Sequence, residues 1–347
     1  MTAYRLLDWE RPAELVEVAV PVPGPSQVLV KVAGNGLCHS DLAMAQIPAV
    51  FGEALGWQMP FTLGHEVGGW IDEVGEGVIG LAPGDPVALI SPHSCGACSF
   101  CVRGQDSACP NGLAGRGYGR DGGLAAYVVA EGRDVIRLRG LDPVVAGPLT
   151  DAGATSYHGV KRVLPRLVPG STAVVIGAGG LGGFAVQLLL ALSPARVVAV
   201  DANPARLDYA KELGAHEVLA GVDDEGATSA ALRELTGGEG AHAVLDFVGN
   251  DDTIAAGMGA VRSYGAFGLV GAGGGRYPKP WFGGLAKDAD VFTFQGSTIA
   301  DAHEVMALAE DGRVRSDVDR FPLDRVAEAY KRLDRGDLRG RAVVEPV

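Results

Sequence analysis

The chain has 347 residues, with 42 acidic side chains against 29 basic ones and a formal net charge of −13. That balance, without a basic run, excludes a nucleic-acid scaffold and a binder of anionic membranes. Hydrophobic residues make up 47% and charged residues 20%, which excludes a disordered chain and supplies a buried core.

The N-terminus, Met1 to Glu10, has neither a basic leader nor an apolar run, so no signal peptide is predicted. No stretch approaches the ~18 apolar residues of a membrane span. The longest candidate, Phe184 to Leu192, contains Gln187. A soluble, cytoplasmic protein of two or three domains is expected, at ~100–200 residues per domain. Residues 1–150 are rich in Val, Gly and Pro. Short β-like runs such as Gln27 to Val32 alternate there with turn signals such as Pro21 to Pro25. This part reads as a β-rich, irregular domain.

From about residue 170 the pattern becomes strand–helix alternation. Thr172 to Ile176 reads as a strand, Leu181 to Leu192 as a helix and Arg196 to Val200 as the next strand. Asn203-Pro204 signals a capped helix that Gly214 stops. Strands are predicted at 217–219, 243–248, 266–270 and 291–294. The alternation implies a parallel, doubly wound sheet. Helices over His303 to Glu310 and Leu323 to Leu333 follow, then a strand-like Ala342 to Val344.

Five cysteines are present: Cys38, Cys95, Cys98, Cys101 and Cys109. An odd number in a cytosolic chain argues against a disulfide framework. The run Cys95-x2-Cys98-x2-Cys101-x7-Cys109 places four thiolates on one loop. Four thiolates suit tetrahedral zinc and leave no open position, which makes the site structural. An iron–sulfur cluster is the alternative, and the first two gaps would suit one.

Gly177-Ala178-Gly179-Gly180-Leu181-Gly182 matches G-x-G-x-x-G between a predicted strand and a predicted helix. In that context the first glycine turns the chain, the second admits a pyrophosphate and the third lets helix and strand pack. The helix N-terminus then offers free N–H groups to the phosphates. Asp201 closes the second strand. A carboxylate there accepts hydrogen bonds from a ribose diol and repels a 2′-phosphate, which favours NAD over NADP. Arg206 tempers that preference, since a basic residue tolerates a phosphate.

The remaining cysteine lies in Gly36-Leu37-Cys38-His39-Ser40-Asp41, and a second cluster follows at Gly64-His65-Glu66. A lone thiol, a His-Glu pair and a downstream NAD motif fit zinc-dependent hydride transfer, in which the metal keeps three protein ligands and one open position.

These residues carry a resemblance. With Gly64-His65-Glu66-x2-Gly69-x5-Gly75-x2-Val78, the cysteine knuckle and the glycine fingerprint, the chain resembles the zinc-dependent medium-chain alcohol dehydrogenases over essentially its whole length. It looks closest to actinobacterial secondary-alcohol dehydrogenases, through Gly36 to Asp41 and Pro148-Leu149-Thr150-Asp151-Ala152-Gly153. The resemblance implies an α/β fold. A GroES-like β-rich catalytic domain, residues 1–152 and 295–347, would hold both zinc sites. It would be interrupted by a doubly wound Rossmann NAD-binding domain, residues 153–294.

The resemblance also implies Cys38 and His65 as catalytic zinc ligands. Many relatives have a cysteine as third ligand where this chain has Asp151, and in the secondary-alcohol subgroup an aspartate fills that position. Thiolate, imidazole and carboxylate still neutralise Zn2+. Asp151 could instead cap the helix that starts near Ala152. Glu66 is either a transient ligand or an outer carboxylate. Asp41 is expected to hold the other ring nitrogen of His65, and Ser40 to accept the alcohol proton. By the same likeness His39 matches a pyrophosphate contact, as does Arg341 or its neighbour Arg339, Thr155 a nicotinamide contact and Arg206 a contact beside the adenine ribose. Several relatives end their proton relay on a histidine where this chain has Ala43.

The substrate is weakly written. Trp57, with Trp281 and Phe282, is expected to wall a pocket, and small Ala43 leaves room, so medium or bulky secondary alcohols and their ketones are expected. Relatives imply a homotetramer or homodimer with its seam near 291–294. The alternatives are a polyol or aldehyde-forming zinc dehydrogenase on the same scaffold and a non-catalytic NAD-binding redox sensor. A zinc-free quinone or enoyl reductase would lack the Cys38/His65 pair.

Overall fold

A computed structural model describes residues 1–222 and 226–346, without the side chain of Trp281. The chain divides into two compact units, one formed by Met1–Ala154 with Gly296–Val347 and the other by Thr155–Gln295.

The first unit is built on a seven-stranded sheet. Its order is Val135–Arg137, Pro86–Leu89, Glu66–Val74, Gln27–Gly36, Arg341–Glu345, Val318–Pro322, and Tyr127–Glu131 also pairs with Gln27–Gly36. Gln27–Gly36 is long and almost wholly buried. It runs antiparallel to both Glu66–Val74 and Arg341–Glu345, so Gly36 lies opposite Glu66 on one side and Val343 on the other. This register brings segments far apart in sequence to one end of the sheet. Val28, Val30, Val67, Ile71, Val87, Leu89 and Val128 form one core of the unit. A second core joins Leu6, Leu37, Phe61, Leu124, Phe321, Val326, Tyr330, Leu333 and Val344. Gly69 lies so close to Lys31 O on the neighbouring strand that a Cβ has no room.

The second unit carries six parallel strands in the order Glu217–Ala220, Arg196–Asp201, Thr172–Ile176, Ala241–Asp246, Val261–Leu269, Asp290–Thr293. Numbered along this unit, that is the 3-2-1-4-5-6 order of a doubly wound dinucleotide-binding fold. All residues of Thr172–Ile176 are buried, as in a central strand covered on both faces.

The predicted elements recur with shifted ends. The helix after the glycine loop is Gly180–Leu192, and Asn203 caps Pro204–Glu212 by accepting from the Ala205 N–H. The helix expected from His303 begins at Ile299, because Thr298 and Asp301 form a reciprocal capping box. The helix expected over Leu323 to Leu333 is a 3-10 turn, Leu323–Arg325, followed by an α-helix, Val326–Arg335. Two short helices, His39–Met44 and Ala49–Ala54, lie within the region read as β-rich and irregular. Among the described residues, no helix is long and apolar enough to cross a membrane.

Candidate metal centres and coenzyme loop

Where Gln27–Gly36 ends, the chain turns into the helix His39–Met44 with Cys38 at its N-cap position. His65 immediately precedes the strand Glu66–Val74, and Asp151 follows the 3-10 turn Gly147–Thr150. These segments converge. One ligand atom from each of Cys38, His65, Glu66 and Asp151 lies within 4.8 Å of all the others.

His65 is oriented from both sides. Its Nε2 lies 3.5 Å from Asp151 Oδ2 and 3.5 Å from Ser40 Oγ. Its Nδ1 lies 3.2 Å from Asp41 Oδ1. Asp41 Oδ2 accepts the Cys38 backbone N–H at 3.0 Å and the Tyr330 hydroxyl at 3.0 Å. Arg341 enters from the C-terminal strand and donates to Leu37 O at 2.8 Å and to Glu66 Oε1. Glu66 Oε2 is buried and has no hydrogen-bond partner among the described residues.

The electrostatics are those of crowded anions. Burial disfavours a charged His65, yet Asp41, Asp151 and Cys38 outweigh it and hold the imidazole well above its usual range. Burial would raise Asp151, but His65 keeps it below the ordinary carboxylate value. Burial pushes Glu66 up to about 8 against the pull of Arg341. Thiolate, imidazole and carboxylate are donors that suit Zn2+, and the side chains present fit it.

The second cluster lies on the segment Cys95 to Cys109 of the first unit. The sulfurs of Cys98 and Cys101 are 3.5 Å apart, those of Cys98 and Cys109 3.9 Å, and those of Cys95 and Cys101 4.0 Å. Backbone N–H groups of Cys95 and Cys98 point at the Cys109 and Cys95 sulfurs, each at 3.4 Å. A hydrogen bond from the Asn111 side chain draws Cys95 down to about 6, while burial pushes Cys101 up to about 12. Thiols packed this closely ionise together only around a cation, and four sulfurs fit zinc.

In the other unit, Gly177 turns the chain at φ +85 and donates to Val200 O, and a Cβ on Gly182 would fall on Gly177 O. Gly179 is the N-cap of Gly180–Leu192. The glycine loop lies beside Asp201, whose Oδ2 accepts from Ala178 N and whose Oδ1 accepts from Asn203 N, each at 2.8 Å. Arg206 stands over the loop, 3.8 Å from Asp201 Oδ2. Gly177, Gly179, Gly180, Leu181, Gly182, Asp201 and Arg206 thus form one neighbourhood.

Two family models match the chain: an alcohol dehydrogenase GroES-like domain over residues 24–140 and a zinc-binding dehydrogenase domain over 180–311. The chain is 35% identical to an NAD-dependent alcohol dehydrogenase of Sulfurisphaera tokodaii, with all of both chains covered. It belongs to the zinc-binding alcohol dehydrogenase family. It is also 31% identical to a D-arabinose 1-dehydrogenase (NADP(+)) of Saccharolobus solfataricus, over 99% of this chain and 97% of that one. Among solved structures, the alcohol dehydrogenase of Aeropyrum pernix superposes with a TM-score of 0.92 at 36% identity, with all of both chains covered.

Within that family frame, the structure gathers Cys38, Ser40, Asp41, His65, Glu66, Asp151 and Arg341 in the first unit. His39 lies exposed at the start of its helix, and Thr155 is buried in the helix Ala152–Val163. Arg341 is buried and spends its donors on Leu37 and Glu66. Trp57 is half-buried against Phe61 and donates its indole N–H to Leu113 O. Phe282 is 82% exposed, and the Trp281 side chain lies outside the described residues.

Sequence reasoning missed two tyrosines. Tyr330 touches Asp41, and Tyr118 stands edge-on to His65 with ring centroids 6.3 Å apart. Neither belongs to a local motif; only the fold brings them to the site.

Proposed function

We propose that the chain oxidises secondary alcohols to ketones with NAD, and carries out the reverse reduction, at the site of Cys38, His65 and Asp151. The observation that carries this reading is the convergence of a thiol, an imidazole and two carboxylates within 4.8 Å, apart from a closed four-cysteine cluster. The first set has the mixed donors of a metal that keeps an open position, and the second the closed shell of a structural one.

Zn2+ at Cys38, His65 and Asp151 would supply a Lewis acid that eases loss of the alcohol proton, and NAD a hydride acceptor. Asp41 holds the His65 ring by Nδ1, which leaves Nε2 for the metal. Ser40 Oγ, beside that nitrogen, accepts the proton. Ser40 is exposed and Ala43 offers no acceptor, so the proton continues to water. Glu66 is an outer carboxylate, held by Arg341. Asp201 receives the adenosine ribose, the N–H groups after Gly179 the pyrophosphate, and Arg206 flanks the adenine ribose. His39 is assigned to the pyrophosphate and Thr155 to the nicotinamide, whereas Arg341, buried and committed to Leu37 O and Glu66, holds Glu66 instead.

The likeness to actinobacterial secondary-alcohol dehydrogenases in Gly36 to Asp41 and Pro148 to Gly153 supports the substrate class, as does the small Ala43. Trp57 is a wall assigned to the pocket. The strand Asp290–Thr293, outermost in its sheet and with Val291 half exposed, is the seam assigned to a dimer or tetramer in the cytoplasm. The likeness to a D-arabinose dehydrogenase favours a second reading, oxidation of a sugar or polyol.

NADH formation with matched primary, secondary and cyclic alcohols and with aldoses separates the two. Preference for secondary alcohols supports the first reading, preference for aldoses the second. Binding of NAD and zinc without turnover of any would contradict both.

A further inference from the structure

We propose that Tyr330 is a positioning residue for the catalytic metal centre: its hydroxyl fixes the Asp41 carboxylate, which in turn aims His65 and anchors Cys38. The proposal rests on the reading of Cys38, His65 and Asp151 as metal ligands.

Tyr330 lies on the helix Val326–Arg335, 289 residues along the chain from Asp41. Both side chains are buried, Tyr330 at 5% exposure and Asp41 at 1%. A carboxylate has two oxygens to commit. Oδ2 is taken by the Cys38 N–H and the Tyr330 hydroxyl, each at 3.0 Å. Oδ1 is left facing His65 Nδ1 at 3.2 Å. One carboxylate therefore braces the backbone of one ligand and the ring of another.

Rotation of that carboxylate would exchange its oxygens and turn the ring. The phenol opposes this rotation by holding Oδ2, the oxygen that does not face His65. It is itself held, since the Tyr330 ring stacks on Tyr4 with centroids 5.9 Å apart and planes 27° apart. The C-terminal helix packs with Leu37 and Met44 in one core, and the Tyr330 hydroxyl is its hydrogen bond to Asp41. Tyrosine and phenylalanine pack alike here, so the hydroxyl can be tested apart from the ring.

The test is zinc release from the holoprotein to a chromogenic chelator, for wild type, Tyr330→Phe and Tyr330→Leu. Wild type is expected to release two classes of zinc, one per cluster. In Tyr330→Phe the catalytic class is expected to weaken at least about tenfold, the usual size of such outer-shell losses. The four-cysteine class is expected to stay unchanged. Tyr330→Leu also loses the stack, so it should match Phe in zinc affinity and melt lower. Cobalt placed at the catalytic site should show a shifted visible spectrum in both variants. Wild-type affinity in Tyr330→Phe with loss only in Tyr330→Leu would reduce Tyr330 to packing and overturn the proposal. A single zinc class in wild type would overturn the ligand reading beneath it.

Discussion

Gly36 and Glu66 face each other across two antiparallel strands so closely that a Cβ on Gly36 would fall on Glu66 Oε2. The absence of a side chain at Gly36 is therefore what lets a buried glutamate, held by Arg341, sit beside the ligand cluster. Gly36→Ala is expected to cost roughly 1–3 kcal/mol, the range for overpacking a core. It should also displace Glu66 from Arg341 and lower turnover beyond the loss of folded protein. A melting curve with kcat measured on the folded fraction checks this. Unchanged turnover would show that Glu66 has no say at the site.

The ligand cluster predicts a pH signature in the metal-free protein. Despite burial, Asp41 and its neighbours hold His65 well above its usual value. The folded chain therefore binds this proton more tightly than the unfolded chain. The stability it contributes is fully present below about pH 6.5 and is lost as pH rises through the raised value. Metal uptake must expel the proton. Removing the Asp41 charge by Asp41→Asn lowers the His65 pKa, so fewer protons should be released per catalytic zinc at neutral pH. A zinc titration of weakly buffered apoprotein with a pH indicator measures this. Equal release in both proteins would contradict it.

Coenzyme choice rests on Asp201, which already organises the loop through Ala178 N and Asn203 N. Asp201→Asn keeps an acceptor and removes the charge that repels a 2′-phosphate, with Arg206 left nearby. The ratio of kcat/KM for NADP over NAD should rise roughly tenfold, equivalent to about 1.4 kcal/mol. Steady-state kinetics with both coenzymes test it, and an unchanged ratio would take Asp201 out of coenzyme selection.

What could be read in advance follows from sequence distance. The four-cysteine cluster lies within one loop and the glycine loop joins consecutive elements, so spacing alone exposed both. His65 and Glu66 stood out as neighbours. Asp151 was visible only through family likeness, because 86 residues separate it from His65 and nothing local marks a carboxylate as a ligand. Tyr330 was invisible, since its partner is 289 residues away and tyrosine on an amphipathic helix looks like core. The early start of the helix at Ile299 was legible in Thr298 and Asp301, a capping pair three residues apart that the apolar pattern alone did not reveal.

The most direct test of the account combines metal content with NADH formation in wild type, Cys38→Ala and Asp151→Ala. The account predicts two zinc ions per wild-type chain, one for each cluster, and NADH formed preferentially from secondary alcohols. Each variant should keep the four-cysteine zinc, lose the other and fall in turnover by on the order of a hundredfold or more. Wild-type turnover and unchanged zinc content in both variants would contradict it.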